Sequence, residues 1–195
     1  MNKKSIILCI FYAWMSILCY GQTGRLFTAD QELSSSMINS IYKDHNGTIW
    51  IATEDGLNKY DGAKFSIYKS DKNDEHSLAN NYVRCVFESS KKECFVGTLS
   101  GLQHYSADAD RFTDIPLILQ DGIIVEPNVA AIEELSNGDL LVGTAGQGLF
   151  KITNTHKGLV GISMEKRIPI PIVNALHEDR NGNLWISAGE NGIFR

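Results

Sequence analysis

The chain has 195 residues, 43% of them apolar and 21% charged, with a formal net charge of −5. An acidic surface without a lysine and arginine cluster excludes nucleic acid and anionic membrane as natural partners. Beyond residues 6–18, themselves short for a bilayer, no apolar stretch approaches spanning length.

Residues 1–21 read as a signal peptide. Lys3 and Lys4 form a short basic start, residues 6–18 are apolar, and Cys19 and Gly21 place small residues at the −3 and −1 positions before Gln22. Cys19 also offers a lipid-attachment reading, which the bulky Leu18 before it disfavours. Export to the periplasm follows from the leader.

The remainder, residues 22–195, is organised by a repeat. GTIWIATEDGL at 47–57 is followed by ECFVGTLSGL at 93–102, GDLLVGTAGQGL at 138–149 and GNLWISAGENGI at 182–193. Superposed, Trp50, Phe95, Leu141 and Trp185 share one position, at intervals of 45, 46 and 44 residues. Short apolar runs and glycine turns at that period mark β-propeller blades, since helical repeats are shorter and carry a 3.6-residue period. Repeat boundaries fall near 34–77, 78–125, 126–170 and 171–195.

The first repeat predicts four short antiparallel strands. Residues 37–43 and 48–53 are rich in β-formers and flank a tight turn at 44–47, where Gly47 supplies a left-handed conformation and Asp44 caps the turn. Residues 54–56 reverse the chain into 57–60, and Asp61-Gly62 turns it into 65–68. The second strand is apolar almost throughout, which implies burial on both faces between neighbouring blades. Trp50 and Trp185 are therefore expected in the core between blades. Small residues that follow (Ala52, Gly97, Gly143, Ser187) are read as permitting tight twist. The connectors at 69–77, 106–114 and 117–127 are read as surface loops. The Asn46 glycosylation sequon lies inside a turn of the repeat and is read as chance. Cys85 and Cys94 fall on neighbouring strands of one blade, either as small buried residues or, if the register allowed, as a facing pair.

No catalytic constellation forms in the sequence, so no enzyme activity, cofactor or metal is expected. The histidines at 45, 76, 104, 156 and 177 have no metal-ligand spacing, and no nucleophile elbow is present. Glu54-Asp55 and Glu133-Glu134 are adjacent along strands or turns, which places strand neighbours on opposite faces. Binding is the stronger reading. The residues leading into each innermost strand are Met37, Tyr82, Asn128 and Ile172, and two positions on lie Asn39, Arg84, Ala130 and Asn174. The position between, Ile38, Val83, Val129 and Val173, repeats its apolar type and reads as core. Tyr82, Arg84, Asn39, Asn128 and Asn174 are thus candidate ligand residues, with Tyr82 suited to stacking on a sugar ring and Arg84 to pairing with a carboxylate or sulfate. The alternative for each is a solvated channel lining. At the level of the whole chain, the alternatives are a protein-interaction scaffold or a fragment of a propeller lyase or glycosidase.

The written-out repeat resembles the two-component regulator propeller. The resemblance rests on DHNGTIWIATEDGLNKYDG at 44–62 with Phe65, on HSLANNYV at 76–83, and on DRNGNLWI at 179–186. It is looser in the second and third repeats, where ESSKK and LSNG replace the acidic turn. It implies the amino-terminal part of a hybrid sensor of the kind found in Bacteroides: a periplasmic sensor of two propellers and an immunoglobulin-like domain, a membrane span, and a cytoplasmic histidine kinase, receiver and DNA-binding region. The implied ligand is an oligosaccharide. None of the second propeller, span, kinase or receiver is present in these residues. The expected architecture is an incomplete, all-β propeller of about three and a half blades. Its open ends would be covered by missing blades or a homodimer partner, with residues 49–51 on one apolar flank and 184–186 on the other. The alternative is a small ring closed by residues 25–28.

Overall fold

The computed structural model describes residues 24–30 and 32–195, so the signal-peptide reading of residues 1–21 lies outside the described residues. Four sheets follow one another along the chain, and the expected all-β propeller architecture is observed. The first blade contains β1 (Ile38–Lys43), β2 (Ile49–Thr53), β3 (Gly56–Tyr60) and β4 (Phe65–Tyr68). The second contains β5 (Val83–Glu88), β6 (Cys94–Thr98), β7 (Gly101–Ser106) and β8 (Arg111–Ile115). After a hairpin of β9 (Leu117–Ile118) and β10 (Ile124–Val125), the third blade is β11 (Val129–Glu134), β12 (Leu140–Thr144), β13 (Gly148–Thr155) and β14 (Gly158–Ser163). The fourth is β15 (Ala175–Glu178), β16 (Leu184–Ser187) and β17 (Ile193–Phe194). Within each blade, strands are antiparallel in chain order. The first strands β1, β5, β11 and β15 stand next to one another and form the inner rim.

The turn chemistry is local. Asp44 Oδ1 accepts the N–H groups of Asn46 at 3.0 Å and Thr48 at 2.9 Å, and Gly47 adopts φ +88°, a conformation that penalises a side chain. Asp179 repeats the arrangement with Asn181 and Asn183, both at 2.9 Å. At the other end of the second strand, the buried hydroxyls of Thr53, Thr98 and Thr144 donate across the turn to the carbonyls of Gly56, Gly101 and Gly148. Each of these buried polar groups is satisfied by that bond.

The core consists of three layers between blades, and each second strand contributes to two flanks because neighbours on a strand point opposite ways. Trp50 and Ala52 pack with Val83, Val86 and Val96 of the second blade. Phe95 packs with Val129, Ile132 and Val142, and Leu141 with Val173, Leu176 and Ile186. The expectation that residues 49–51 form one outer flank and 184–186 the other is corrected accordingly. Trp50 faces the second blade, Ile186 faces the third, and only Trp185 of the latter group is strongly exposed, at 39% against 2% for Trp50. The uncovered apolar residues of the first blade include Ile38 and Ile41 on its inner strand, Met37 just before it and Ile67 on its outer strand.

The small residues in the second strands make room for the next blade. A Cβ on Gly97 would lie 2.6 Å from Val129 Cγ1, and one on Gly143 would overlap Val173. Val83, Val129 and Val173 are fully buried at this seam, which gives the repeated valine and the repeated small residue one shared cause.

The connector at 117–127 is not a simple surface loop. It forms the β9–β10 hairpin, and β9 pairs in parallel with β14 through Leu117–Gly161 and Ile118–Ile162. Leu117 is fully buried against Gly161, whose missing side chain leaves the space it fills. Nor do residues 25–28 reach the fourth blade. Phe27 lies edge-on to Phe65 at 5.2 Å between centroids and 5.8 Å from Tyr60, covering the outer half of its own first blade. Cys85 sits opposite Gly97 and Cys94 opposite Glu88. Both thiols are free, and burial pushes each up to about 12.

Candidate functional site

On one face of the array, the segment leading into each inner strand is tied to the turn between the second and third strands. The carbonyls of Met37, Tyr82 and Asn128 accept the N–H groups of Glu54, Leu99 and Ala145 at 3.2, 3.1 and 2.9 Å. The next step along each inner strand is irregular. The pairing register shifts between Ile38 and Ser40, between Val83 and Cys85, and between Val129 and Ala131. Asn39, Arg84 and Ala130 are the extra residues of three equivalent β-bulges. Such a residue is left out of the ladder and its side chain is re-aimed, a device found at barrel rims and binding sites. The fourth blade lacks this shift: β15 begins at Ala175, one residue past Asn174.

The individual candidates are not equally available. Asn39 is exposed, but its amide donates to the Val83 carbonyl of the next inner strand at 2.7 Å. Arg84 is half-buried, and among the described residues its guanidinium has no hydrogen bond or ion pair. Tyr82 is half-buried and its hydroxyl donates to Glu54 Oε1 at 3.2 Å. Asn128 is half-buried with its Oδ1 shielded and unpaired. Asn174 is exposed and its backbone N–H donates to Ser187. The side-by-side inner strands place the four bulge-equivalent positions successively along the rim, with Tyr82 and Asn128 behind Arg84 and Ala130.

Glu54 was not singled out from sequence, because adjacent acidic residues in a turn carry no directional signal. Its neighbour Asp55 is committed elsewhere, accepting from Lys69 Nζ at 2.6 Å and Asn81 Nδ2 at 3.1 Å. Among the described residues, a hollow of about 420 Å³ lies on the same face, between the turn at Gly146–Gly148 and Pro171, another of about 670 Å³ lies between residues 167–170 and the fourth blade, and a third of about 500 Å³ lies beside Lys151 and Ile162. None is lined by the bulge residues, and the rim remains the candidate surface because three blades build it the same way.

A second polar cluster joins the first two blades. Tyr68 and Tyr105 both donate to Asp110 Oδ1 at 2.6 Å, and Lys59 Nζ lies 3.0 Å from the Tyr105 hydroxyl. These two bonds hold the Asp110 carboxyl below its usual range. Burial, then the bond to Asp110, push the Tyr68 phenol up to about 12, and Tyr105 shifts the same way for the same causes. The cluster is packed against Trp50 and closes a seam; it presents no reactive group.

Comparison with known proteins agrees with this geometry. The model of the two component regulator propeller matches residues 32–55 and 168–190. Histidine kinase P4 of Formosa agariphila is 31% identical over 83 residues, which are 40% of this chain and 6% of that protein. Among solved structures, the extracellular domain of BT3049 from B. thetaiotaomicron, assigned as a hybrid two component system, superposes with a TM-score of 0.65 at 23% identity, covering 90% of this chain and 24% of that one. Virginiamycin B lyase from Staphylococcus aureus superposes with a TM-score of 0.58 at 15% identity, over 87% of this chain and 57% of the enzyme. At these identities the two structures establish the fold alone. Two segments of the chain thus match the two component regulator propeller, and its fold is similar to that of the extracellular domain of a hybrid two component system, of which it spans about a quarter.

Proposed function

We propose that this chain is the extracytoplasmic ligand-sensing propeller portion of a two-component sensor, that it recognises oligosaccharides, and that it has no turnover of its own. The carrying observation is the set of three equivalent bulges that present Asn39, Arg84 and Ala130, unlike residues on like scaffolds, along one rim. A shared backbone device with varied side chains suits recognition of a ligand larger than one blade. Arg84 supplies an uncommitted cation and Tyr82 an aromatic face beside it, a combination that binds acidic sugars. The matched repeat family and the histidine kinase relative support the sensing role. Among the described residues no group of histidine, cysteine and carboxylate side chains is arranged to hold a metal. No helix among them is long and apolar enough to cross a membrane.

Calorimetric titration with a neutral mannan tetrasaccharide and an oligogalacturonate of the same length tests the reading. Binding of the uronate that falls at least tenfold in Arg84→Ala, with the neutral sugar weaker, supports it. Equal binding by Arg84→Ala, or sugar turnover by the purified protein, overturns it.

A further inference from the structure

The turn after the second strand of the third blade differs from its counterparts. In the first two blades the threonine that ends this strand bonds a glycine carbonyl three residues on, Thr53 to Gly56 and Thr98 to Gly101, whereas Thr144 reaches Gly148, four residues on. The extra length places an exposed Gln147 beside the hollow of about 420 Å³. Gly146 and Gly148 take φ of +132° and +75°, and both donate their N–H groups to the Pro171 carbonyl, at 3.0 and 2.8 Å. A Cβ on Gly148 would lie 2.7 Å from the Ile170 carbonyl oxygen, so the turn is seated tightly on residues 170–171. A Cβ on Gly146 would meet nothing within 4 Å, and that residue borders the hollow.

Other segments fix the rest of the hollow. Leu119 comes from the β9–β10 hairpin, where its N–H donates to the Ile123 carbonyl at 2.8 Å. Pro169, Ile170 and Pro171 supply an apolar wall. Glu165 stands on a turn closed by the N–H groups of Arg167 and Ile168, which donate to the Met164 carbonyl at 2.8 and 2.9 Å. Its own N–H donates to Ser163 Oγ at 3.3 Å. Among the described residues, the Glu165 carboxylate and the Gln147 carboxamide make no hydrogen bond or ion pair. No lysine, arginine or histidine among them lines this hollow, and the next two residues along the chain, Lys166 and Arg167, border the one beside Lys151 instead.

The volume falls in the range of about 300–1,000 Å³ typical of small-molecule sites. A ligand that fills the hollow strips water from the carboxylate, and a donor that itself carries positive charge offsets that loss best. An ammonium group has three donors and no acceptor, which suits the Glu165 oxygens and Gln147 Oε1, while Leu119 and the proline wall take an apolar body. An acid of the same shape would meet Glu165 as a like charge, with no cation to receive it.

We propose that this hollow binds a small ligand built from a protonated amine on an apolar body, with Glu165 as its anionic partner and Gln147 orienting it. The site is separate from the rim. It uses neither Arg84 nor Tyr82, and its occupancy does not depend on the sugar proposed above.

Three probes that share an indole ring and differ in the group at the end of a short chain test this by calorimetric titration of the full chain: tryptamine with an ammonium, tryptophol with a hydroxyl and indole-3-acetate with a carboxylate. Tryptamine is expected to bind about tenfold or more tightly than the other two, and Glu165→Gln to lower its affinity about tenfold, as loss of a charged hydrogen-bond partner does. Glu165→Lys is expected to reverse the order in favour of indole-3-acetate, a change that a merely structural role of Glu165 would not produce. Gln147→Ala should weaken tryptamine without reversing the order. Absence of tryptamine binding, equal binding of the three probes, or an order that survives Glu165→Lys overturns the proposal. The uronate titration of Arg84→Ala reads another residue and the opposite ligand charge, so either reading can fail without the other.

Discussion

Trp50 donates its indole N–H to Asp44 Oδ2 at 3.1 Å, six residues back across the first turn of its blade, and Trp185 makes the same bond to Asp179 Oδ2 at 2.9 Å. One carboxylate thus closes the turn with one oxygen and orients the tryptophan with the other. The two copies differ in cover, since Trp50 is sealed by the second blade while Trp185 is open apart from the Arg195 guanidinium 5.9 Å from its ring.

That difference gives the first prediction. Trp50→Ala should destabilise the chain by about 3–5 kcal/mol, as loss of a buried aromatic does. Trp185→Ala should cost about 1 kcal/mol or less, because little water is excluded by its ring. Urea melts of the two variants compare them directly, and equal losses would contradict the packing described.

The Tyr68–Tyr105–Asp110 cluster should register at both ends of the pH scale. Asp110 has a lowered folded pKa, so its contribution is present above the unfolded carboxylate value of about 3.9 and is lost as pH falls through the folded one. Tyr68 has a raised one, so its contribution is complete below the unfolded value of about 10 and is lost as pH rises through about 12. Tyr105→Phe removes one of the two bonds to Asp110. Its acid unfolding midpoint should move to higher pH, and its alkaline tyrosine absorbance titration should lose a late component. Unchanged titrations at both ends would show that the hydroxyls are not coupled to the carboxylate.

The valine seats define a third prediction. Gly97→Ala and Gly143→Ala each force a methyl into Val129 or Val173 and should cost about 1–3 kcal/mol. Ser187→Ala occupies the corresponding place on the open flank and should stay within about 0.5 kcal/mol of the wild type. Thermal melts under identical buffer order the three variants, and a Ser187→Ala loss equal to the glycine variants would mean that this flank is covered.

The blades were legible in sequence because their signals are local. Asp44, Gly47 and the apolar second strand lie within a few residues of one another and need no partner to be recognised. The seams were only half legible. Val83, Val129 and Val173 repeat their type and were read as core, but the reason for Gly97 and Gly143 appears only when the next blade is set against them. The connector at 117–127 misled because polar residues conceal the two short apolar pairs that become β9 and β10. The candidate site was located by position, and the bulges that re-aim Asn39, Arg84 and Ala130 came from register, which periodicity alone does not fix.

The parallel pairing of β9 with β14 has a mechanical side. The strand that leads into the third blade is fastened to the strand that leaves it, so the intervening residues form a loop latched at its own mouth. Force applied along the chain loads that latch in shear across its hydrogen bonds, whereas the first and second blades meet such a pull with antiparallel outer strands that peel one bond at a time. The third blade is therefore the one whose entry and exit are held together, by two residue pairs, when the chain is pulled.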